Sequence, residues 1–395
     1  MTDQDPAPRR TAPARGILVT GASGTVGQAV VAALSAALSA AGETVVAGMR
    51  DPRAWLAEGA RRASGTAGGQ QPGAPGFRAP GQFGGAAPVR PGRKPERAPN
   101  AKPERNPAAK PGRLAASPSG PAGRPGPTAG PAGAVDRAAA AAGASVSAAH
   151  PTSADGTIVR AVDFADRGTW TRALAGVDRV FLTLPPAIDV GRSIIPFIDQ
   201  AMEDAGVRQI VFLSAPGARF DTRSPHHLVE LYLKRTRTPY TILRPNLLMQ
   251  NLATHYRDDI RLRGELVLPA GGARAAFVDA ADVGRVAARV LTEPRHLAKT
   301  YALAGEQSLS FHQVASLLTS ELGRPIRYTA TSPAEFTELA AKQGARPADV
   351  AAQSAWYAAM RRRYTALGNR SIQRLTGRPA GTLRDFITEH RHTWI

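Results

Sequence analysis

A short apolar run, Gly16-Ile17-Leu18-Val19-Thr20, is followed at once by Gly21-Ala22-Ser23-Gly24-Thr25-Val26-Gly27. An unbroken apolar run bounded by turn residues predicts a buried strand. Residues 28–41 carry Ala, Leu and Val with small residues between them, which predicts a helix stopped by Gly42. Residues 44–49 form a second strand, ended by Arg50-Asp51-Pro52. Strand, glycine turn, helix and strand make a βαβ unit. A short helix is expected at 55–62. The pattern then lapses and resumes with a strand at 157–163, a helix at 167–174 and a strand at 179–184 closed by Pro185-Pro186. An amphipathic helix at 194–205, ended by Gly206, and strands at 209–213 and 240–243 follow. Strand and helix alternate at the spacing of a doubly wound parallel sheet with helices on both faces, the α/β class.

From Gly264 the rhythm changes. Short strands are expected at 266–270, 275–279, 300–303 and 326–330. Helices are expected at 282–291, with Asp282 as cap, and at 311–322, 333–343 and 350–367. This second part reads as a smaller α/β cap over the open end of the sheet.

The lapse between 61 and 156 is compositional. That stretch holds 16 of the 33 prolines and 17 of the 39 glycines, and its only large apolar residues are Phe77, Phe83, Val89, Leu114, Val135 and Val146. It lacks the apolar surface that would offset its ordering entropy. The expected organisation is a disordered tail at 1–14, a doubly wound α/β domain from 15–61 and 157–262, a disordered low-complexity insert at 62–156, and a smaller region at 263–395. The folding unit is then about 300 residues.

The glycine turn carries the first chemistry. Gly21, Gly24 and Gly27 recur every three residues between a strand and a helix. Such a turn brings backbone N–H groups to a pyrophosphate at a helix N-terminus, where side chains would block the approach, so Gly21, Ser23, Gly24, Thr25, Val26 and Gly27 are candidate dinucleotide contacts. The alternative is an ordinary tight turn, which has no need of three glycines at this spacing. The end of the second strand selects the dinucleotide. Arg50 stands where a 2′-phosphate would fall, and a guanidinium suits that group, so NADP(H) is favoured. Asp51 leaves NAD(H) open, and Arg50 as a plain surface arginine is the bland alternative.

These residues, with Asp163-Phe164, 177–182, 209–216 and Pro239-Tyr240-Thr241-Ile242-Leu243-Arg244-Pro245-Asn246, resemble the NmrA-like group of atypical short-chain dehydrogenases. The likeness continues through 277–283, Gly323-Arg324-Pro325-Ile326, Thr376-Gly377-Arg378-Pro379 and Asp385-Phe386, so it covers nearly everything but residues 1–14 and the insert. That group includes NAD(P)H:quinone oxidoreductases, azoreductase-like proteins and non-catalytic dinucleotide sensors. The resemblance implies a Rossmann domain with a small C-terminal substrate domain. It places Asp163 and Phe164 by the adenine. Thr183, Leu184 and Pro185 would line the nicotinamide side with Ser214 and Pro216 beyond, and Pro245 and Asn246 would close the pocket. Two departures stand out: a first helix about one turn longer than usual, and the insert, which would leave the sheet edge near the adenosine end.

Ordinary short-chain dehydrogenases use a Tyr with a Lys four residues later, and no Lys here has that partner. On the corresponding helix, by the resemblance, stand His226 and Glu230, which share a face. His226 could protonate a reduced acceptor with Glu230 orienting it. A surface histidine with an exposed helical acid is the equal alternative. Tyr240 and Arg244 share a strand face, where packing is the simpler role. His255 and Tyr256 are candidates for the acceptor pocket or for a plain loop.

Charge and cysteine content alter the picture only at the margins. The net charge of +19 owes much to the insert, with 13 basic and 4 acidic residues in 61–156. A basic flexible tract attracts polyanions without sequence preference, so nucleic acid is disfavoured as a partner without being excluded. Zero cysteines remove disulfide scaffolds and Cys-based sites. With no signal-like N-terminus and no apolar run of membrane length, a cytoplasmic protein without membrane contact is expected. The favoured function is NAD(P)H-dependent reduction of a small conjugated acceptor such as a quinone. The alternative is a non-catalytic dinucleotide sensor acting on a regulatory protein partner.

Overall fold

Ile17 and Val19 face one way from the first strand and Leu18 the other, and all three are fully buried. That is the signature of a central strand covered on both faces. The structure, a computed structural model, describes residues 16–38, 43–63, 151–153, 155–342, 344–345, 347–362 and 365–395. The elements run β1 (Gly16–Thr20), α1 (Thr25–Leu38), β2 (Thr44–Met49), α2 (Pro52–Ala63), β3 (Ile158–Ala161), α3 (Trp170–Leu174), β4 (Val177–Leu182), α4 (Ile195–Glu203), β5 (Gln209–Leu213), α5 (Pro225–Arg235) and β6 (Tyr240–Pro245). Then come α6 (Gln250–Ala253), β7 (Glu265–Leu268), β8 (Arg274–Ala275), α7 (Ala280–Thr292), β9 (Lys299–Leu303), β10 (Leu309–Ser310), α8 (Phe311–Leu322), β11 (Arg327–Ala330), α9 (Pro333–Lys342), α10 (Pro347–Arg361), α11 (Ser371–Thr376) and α12 (Leu383–Glu389).

The main sheet has seven parallel strands in the order β3-β2-β1-β4-β5-β6-β9. Strand order reverses between β1 and β4, which opens a crevice at their carboxyl ends. On one face, α1 and α7 pack over Ile17, Val19, Phe181 and Val211. The two helices approach closely at Gly284, where a Cβ would come within 2.4 Å of the Ala29 carbonyl oxygen. On the other face, α3, α4 and α5 cover Leu18, Val180, Ile210 and Phe212. The doubly wound Rossmann sheet expected from the sequence is thus the observed fold.

The C-terminal half is interleaved with that sheet. β9 is its seventh strand and α7 its helical cover, although both lie in the segment 263–395. A separate core gathers β7, α8, β11, α9, α10 and α12 around Phe311, Leu318, Tyr357 and Trp394. It includes two small sheets, β10-β8 antiparallel and β11-β7 parallel. The helix expected at 350–367 starts earlier and ends at Arg361, because Thr365 folds back to donate to the Arg274 carbonyl and to accept the Ala276 N–H. The cap of α7 is Asp279, whose side chain accepts the Ala281 N–H; Asp282 is instead buried in the first turn and accepts the Gly381 N–H at 2.9 Å.

The expected tail at 1–14 and residues 64–150 of the expected insert lie outside the described residues, as do residues 39–42 with the helix stop at Gly42. At the insert's two ends the described chain is regular. Helix α2 runs to Ala63, and Thr152 bridges to Ile158 beside β3. Asp155 accepts hydrogen bonds from Ser35 on α1 at 3.1 Å and from the Thr157 hydroxyl at 3.0 Å, which fastens the returning chain to the first βαβ unit.

Candidate functional site

Gly21 and Gly27 of the turn each have a steric reason. Gly21 has φ +63°, and a Cβ there would lie 2.4 Å from Thr183 Oγ1. Gly24 donates to the Gly21 carbonyl at 2.9 Å and closes the turn. A Cβ on Gly27 would stand 2.1 Å from that same oxygen, so only glycine lets α1 begin so close to β1. The N–H groups of Ser23, Thr25, Val26 and Gly27 find no acceptor among the described residues. A helix N-terminus with free amides and no obstructing side chain is an anion cradle.

The crevice beside it is held by two threonines. Thr20 Oγ1 donates to the Phe181 carbonyl at 3.1 Å and accepts the Thr183 N–H at 3.0 Å. Thr183 Oγ1 returns a bond to the Thr20 carbonyl at 3.2 Å. These three bonds join β1 and β4 where strand order reverses.

The other nominated residues stand along the same carboxyl edge. Ala22 N–H donates to the Gly48 carbonyl, which sets the turn against the end of β2. There Arg50 is exposed and makes no hydrogen bond or ion pair with a described residue. Asp51 is already engaged, its Oδ1 accepting the Ala54 N–H at 3.0 Å to cap α2. Asp163, after β3, accepts the Ala165 N–H, and its carbonyl takes the Trp170 indole N–H at 2.8 Å. Phe164 is buried with its ring edge-on to Phe197 at 5.1 Å, so the ring braces the edge from below. Thr183, Leu184 and Pro185 are half-buried at the end of β4. Pro245 and Asn246 are buried after β6, and Asn246 spends its side chain on the Thr365 carbonyl at 2.9 Å and the Leu247 N–H at 2.7 Å.

His226 and Glu230 do not form the expected pair. Glu230 is buried, and its carboxylate accepts from Ser214 Oγ at 2.6 Å, Arg244 Nε at 2.8 Å, Arg244 Nη2 and Lys234 Nζ at 3.3 Å. Burial pushes that carboxyl up, but the bonds from Arg244 and Ser214 and the nearby positive charges more than reverse it, leaving it below its ordinary value. It is neither an exposed acid nor a hydrogen-bond partner of His226. His226 is half-buried with its ring tilted against Phe212 at 6.2 Å. His227 turns away to the Ala218 carbonyl at 3.0 Å.

Tyr256 is drawn into the C-terminal core, where its hydroxyl meets that of Tyr357 and burial pushes it up to about 12. His255 is exposed beside it. A cavity of about 310 Å³ opens between Met249, Phe277, Leu309 and Leu383, and none of its lining residues comes from the glycine turn or the ends of β4 and β5. Among the described residues there is no metal-holding cluster of His, Asp and Glu, and no helix is long and apolar enough to cross a membrane.

Residues 137–368, more than half of the chain, match the NmrA-like family. The chain belongs to the NmrA-like family. It is 31% identical over 248 residues to an NAD(P)H azoreductase of Xenophilus azovorans, covering 61% of this chain and 85% of that protein. It is 34% identical to a (4-alkanoyl-5-oxo-2,5-dihydrofuran-3-yl)methyl phosphate reductase of Streptomyces griseus, covering 60% and 84%. Its fold matches an NADPH-dependent quinone oxidoreductase of Escherichia coli, solved with NADPH, with a TM-score of 0.62 at 20% identity over 94% of this chain and 99% of that one.

In this NmrA-like chain two features escaped sequence reasoning. Thr20 is the last residue of an apolar strand, and nothing local marks its hydroxyl as a strand-to-strand bolt. The Ser214–Glu230–Arg244 cluster joins residues far apart in sequence. Sequence reasoning names its residues singly, and the one hint of their joining is Arg244, a charge in an otherwise apolar strand.

Proposed function

We propose that this protein is an NADPH-dependent reductase of quinones or related conjugated acceptors. The observation that carries the reading is the set of amides at the start of α1 that find no acceptor among the described residues, with Arg50, which pairs with none of them, at the end of the neighbouring β2. The amides of Ser23, Thr25, Val26 and Gly27 would hold the pyrophosphate and Arg50 the 2′-phosphate. Engagement of Asp51 as a helix cap weighs against ribose recognition of NAD(H). Asp163 and the backbone of Phe164 would flank the adenine. Thr183, Leu184, Pro185 and Ser214 would bound the nicotinamide side, with Pro245 and Asn246 forming the wall behind. Relatives named for azo and furanone-phosphate reduction, and a fold neighbour named for quinones, support a conjugated acceptor.

Bound NADPH supplies a hydride, that is, two electrons. The chain's own part is to orient, to exclude water and to deliver a proton. His226 would give its ring proton to the oxygen or nitrogen of the reduced acceptor and regain one from water. With no Tyr-x-x-x-Lys pair, alcohol dehydrogenation is not supported. Segment 263–395 would supply the acceptor side. Nothing in the site favours the regulatory reading. Oxidation of NADPH by purified protein, followed at 340 nm with a panel of quinones and azo compounds, tests the proposal. Turnover with at least one acceptor is expected. Tight NADPH binding with no turnover on any of them overturns it.

A further inference from the structure

The cluster at Glu230 joins three elements near the acceptor side. Ser214 follows β5, Glu230 and Lys234 lie on α5, and Arg244 lies on β6. The side chains of Glu230 and Arg244 are only 3% and 14% exposed, so this ion pair acts where water screens it weakly. Its partners hold it from the end of β5, from β6 and from α5 itself. Glu230 sits one helical turn beyond His226 on the same face of α5.

We propose that Glu230 and Arg244 are positioning residues that set the proton affinity of His226 without touching the acceptor. The inference rests on the reductase reading only for its use, since the coupling itself needs no turnover. Burial of the imidazole among apolar neighbours drives its proton off, and the Glu230 carboxylate draws the proton back. Arg244 and Lys234 decide how much of that negative charge His226 feels. The remaining groups around α5 are already paired with others. His227 faces the Ala218 carbonyl, Arg219 lies over Phe220, and Asp221 accepts the Arg223 N–H. In the segment Val190–Ile194 packed on α5, Arg192 pairs with Asp189, and Tyr232 on α5 itself bonds Asp199. From β5 only the ring of Phe212 and the hydroxyl of Ser214 approach.

The experiment is a ring-proton NMR titration of His226 in the full chain, assigned by its loss in His226→Gln. It is repeated in Glu230→Gln, Arg244→Gln and Lys234→Met. Glu230→Gln leaves two positive charges uncompensated and is expected to move the His226 midpoint down. Arg244→Gln and Lys234→Met free the carboxylate's charge and are expected to move it up. Lys234 is 41% exposed, so its variant folds even where a buried one fails. A merely structural role would shift the buried variants in a common direction or not at all. The alkaline limb of kcat against pH, where the proton donor is lost, measured with a quinone, should follow the same order. Unmoved midpoints, or shifts of one sign in Glu230→Gln and Lys234→Met, overturn the proposal. Opposed shifts in a protein that reduces no acceptor uphold the coupling and overturn only the reductase reading.

Discussion

Replacing Gly27 by alanine tests the cradle most directly. The new methyl would stand 2.1 Å from the Gly21 carbonyl oxygen and 2.8 Å from Ala22 Cα, both backbone atoms. An ordinary carbon–oxygen contact lies near about 3.4 Å, so α1 must retreat from the turn by roughly 1 Å. It is poorly free to do so. Val30 and Leu34 are fully buried, and at Ala29 the helix already touches α7 through Gly284. Forced insertion of a methylene into such packing costs about 1–3 kcal/mol. The free amides of Thr25, Val26 and Gly27 move with the helix, so the same strain is levied on phosphate binding. At about 1.4 kcal/mol per decade, NADPH affinity should fall roughly tenfold or more. Titration calorimetry with NADPH and thermal unfolding read the two effects. Gly24→Ala is the control, because its methyl meets the same oxygen at 3.3 Å, a contact that small adjustments absorb. If Gly27→Ala binds NADPH as well as Gly24→Ala does and unfolds at the same temperature, the steric account of the turn is wrong.

Three further expectations follow from named contacts. Arg50→Ala should weaken NADPH by about 10- to 100-fold, the worth of a charged hydrogen bond of about 1.5–3 kcal/mol, and leave NADH unchanged; equal losses for the two cofactors would remove Arg50 from the 2′-phosphate. Thr20→Val keeps the shape but strands the Thr183 N–H and the Phe181 carbonyl in the crevice, and should cost about 1–3 kcal/mol by urea unfolding. Glu230→Ala leaves Arg244 buried without its counter-charge and should cost about 3–5 kcal/mol at neutral pH. Because the folded protein holds this carboxyl below its ordinary value of 4.5, the pair's contribution is complete above that value and is lost as pH falls through the depressed one. The gap between the two proteins should therefore close in acid, and a gap that widens there would contradict the ion-pair reading.

The parts of this fold legible in sequence are those whose cause is local. β1 reads as a strand because both its faces are buried, and the glycine turn reads as a cradle because Gly24 and Gly27 answer contacts within the turn itself, Gly21 alone meeting a distant residue, Thr183. What was not legible depends on chain that returns from afar. Residues 350–367 have a helical composition throughout, yet Thr365 is captured by the backbone at Arg274 and Ala276, and that capture ends α10 early. Asp279 and Asp282 stand three apart at the head of α7, and either could cap it. The Gly381 N–H, 99 residues away from Asp282, claims the second and leaves the first as cap. In sequence Glu230 reads equally as an acid orienting His226 or as an exposed surface acid four residues from it. Its burial is decided by Arg244 on β6 and Ser214 just after the adjacent β5.

The place of the long interruption fits the same logic. β3 is the edge strand of the sheet, and the chain leaves after α2 and returns just before β3, so no central pairing has to accommodate the break. What must be kept is the register on return, and that is secured at the junction. Asp155 ties the chain to Ser35 and Thr157, and the pairing of Val46 with Ile158 follows immediately. The crevice between β1 and β4, Ser214 and His226 all lie on the far side of β2 from that edge. An insertion between α2 and β3 therefore interrupts none of the strand pairings that hold Thr183 and Ser214, whereas the same length placed after β4 or β5 would part Thr183 or Ser214 from those partners.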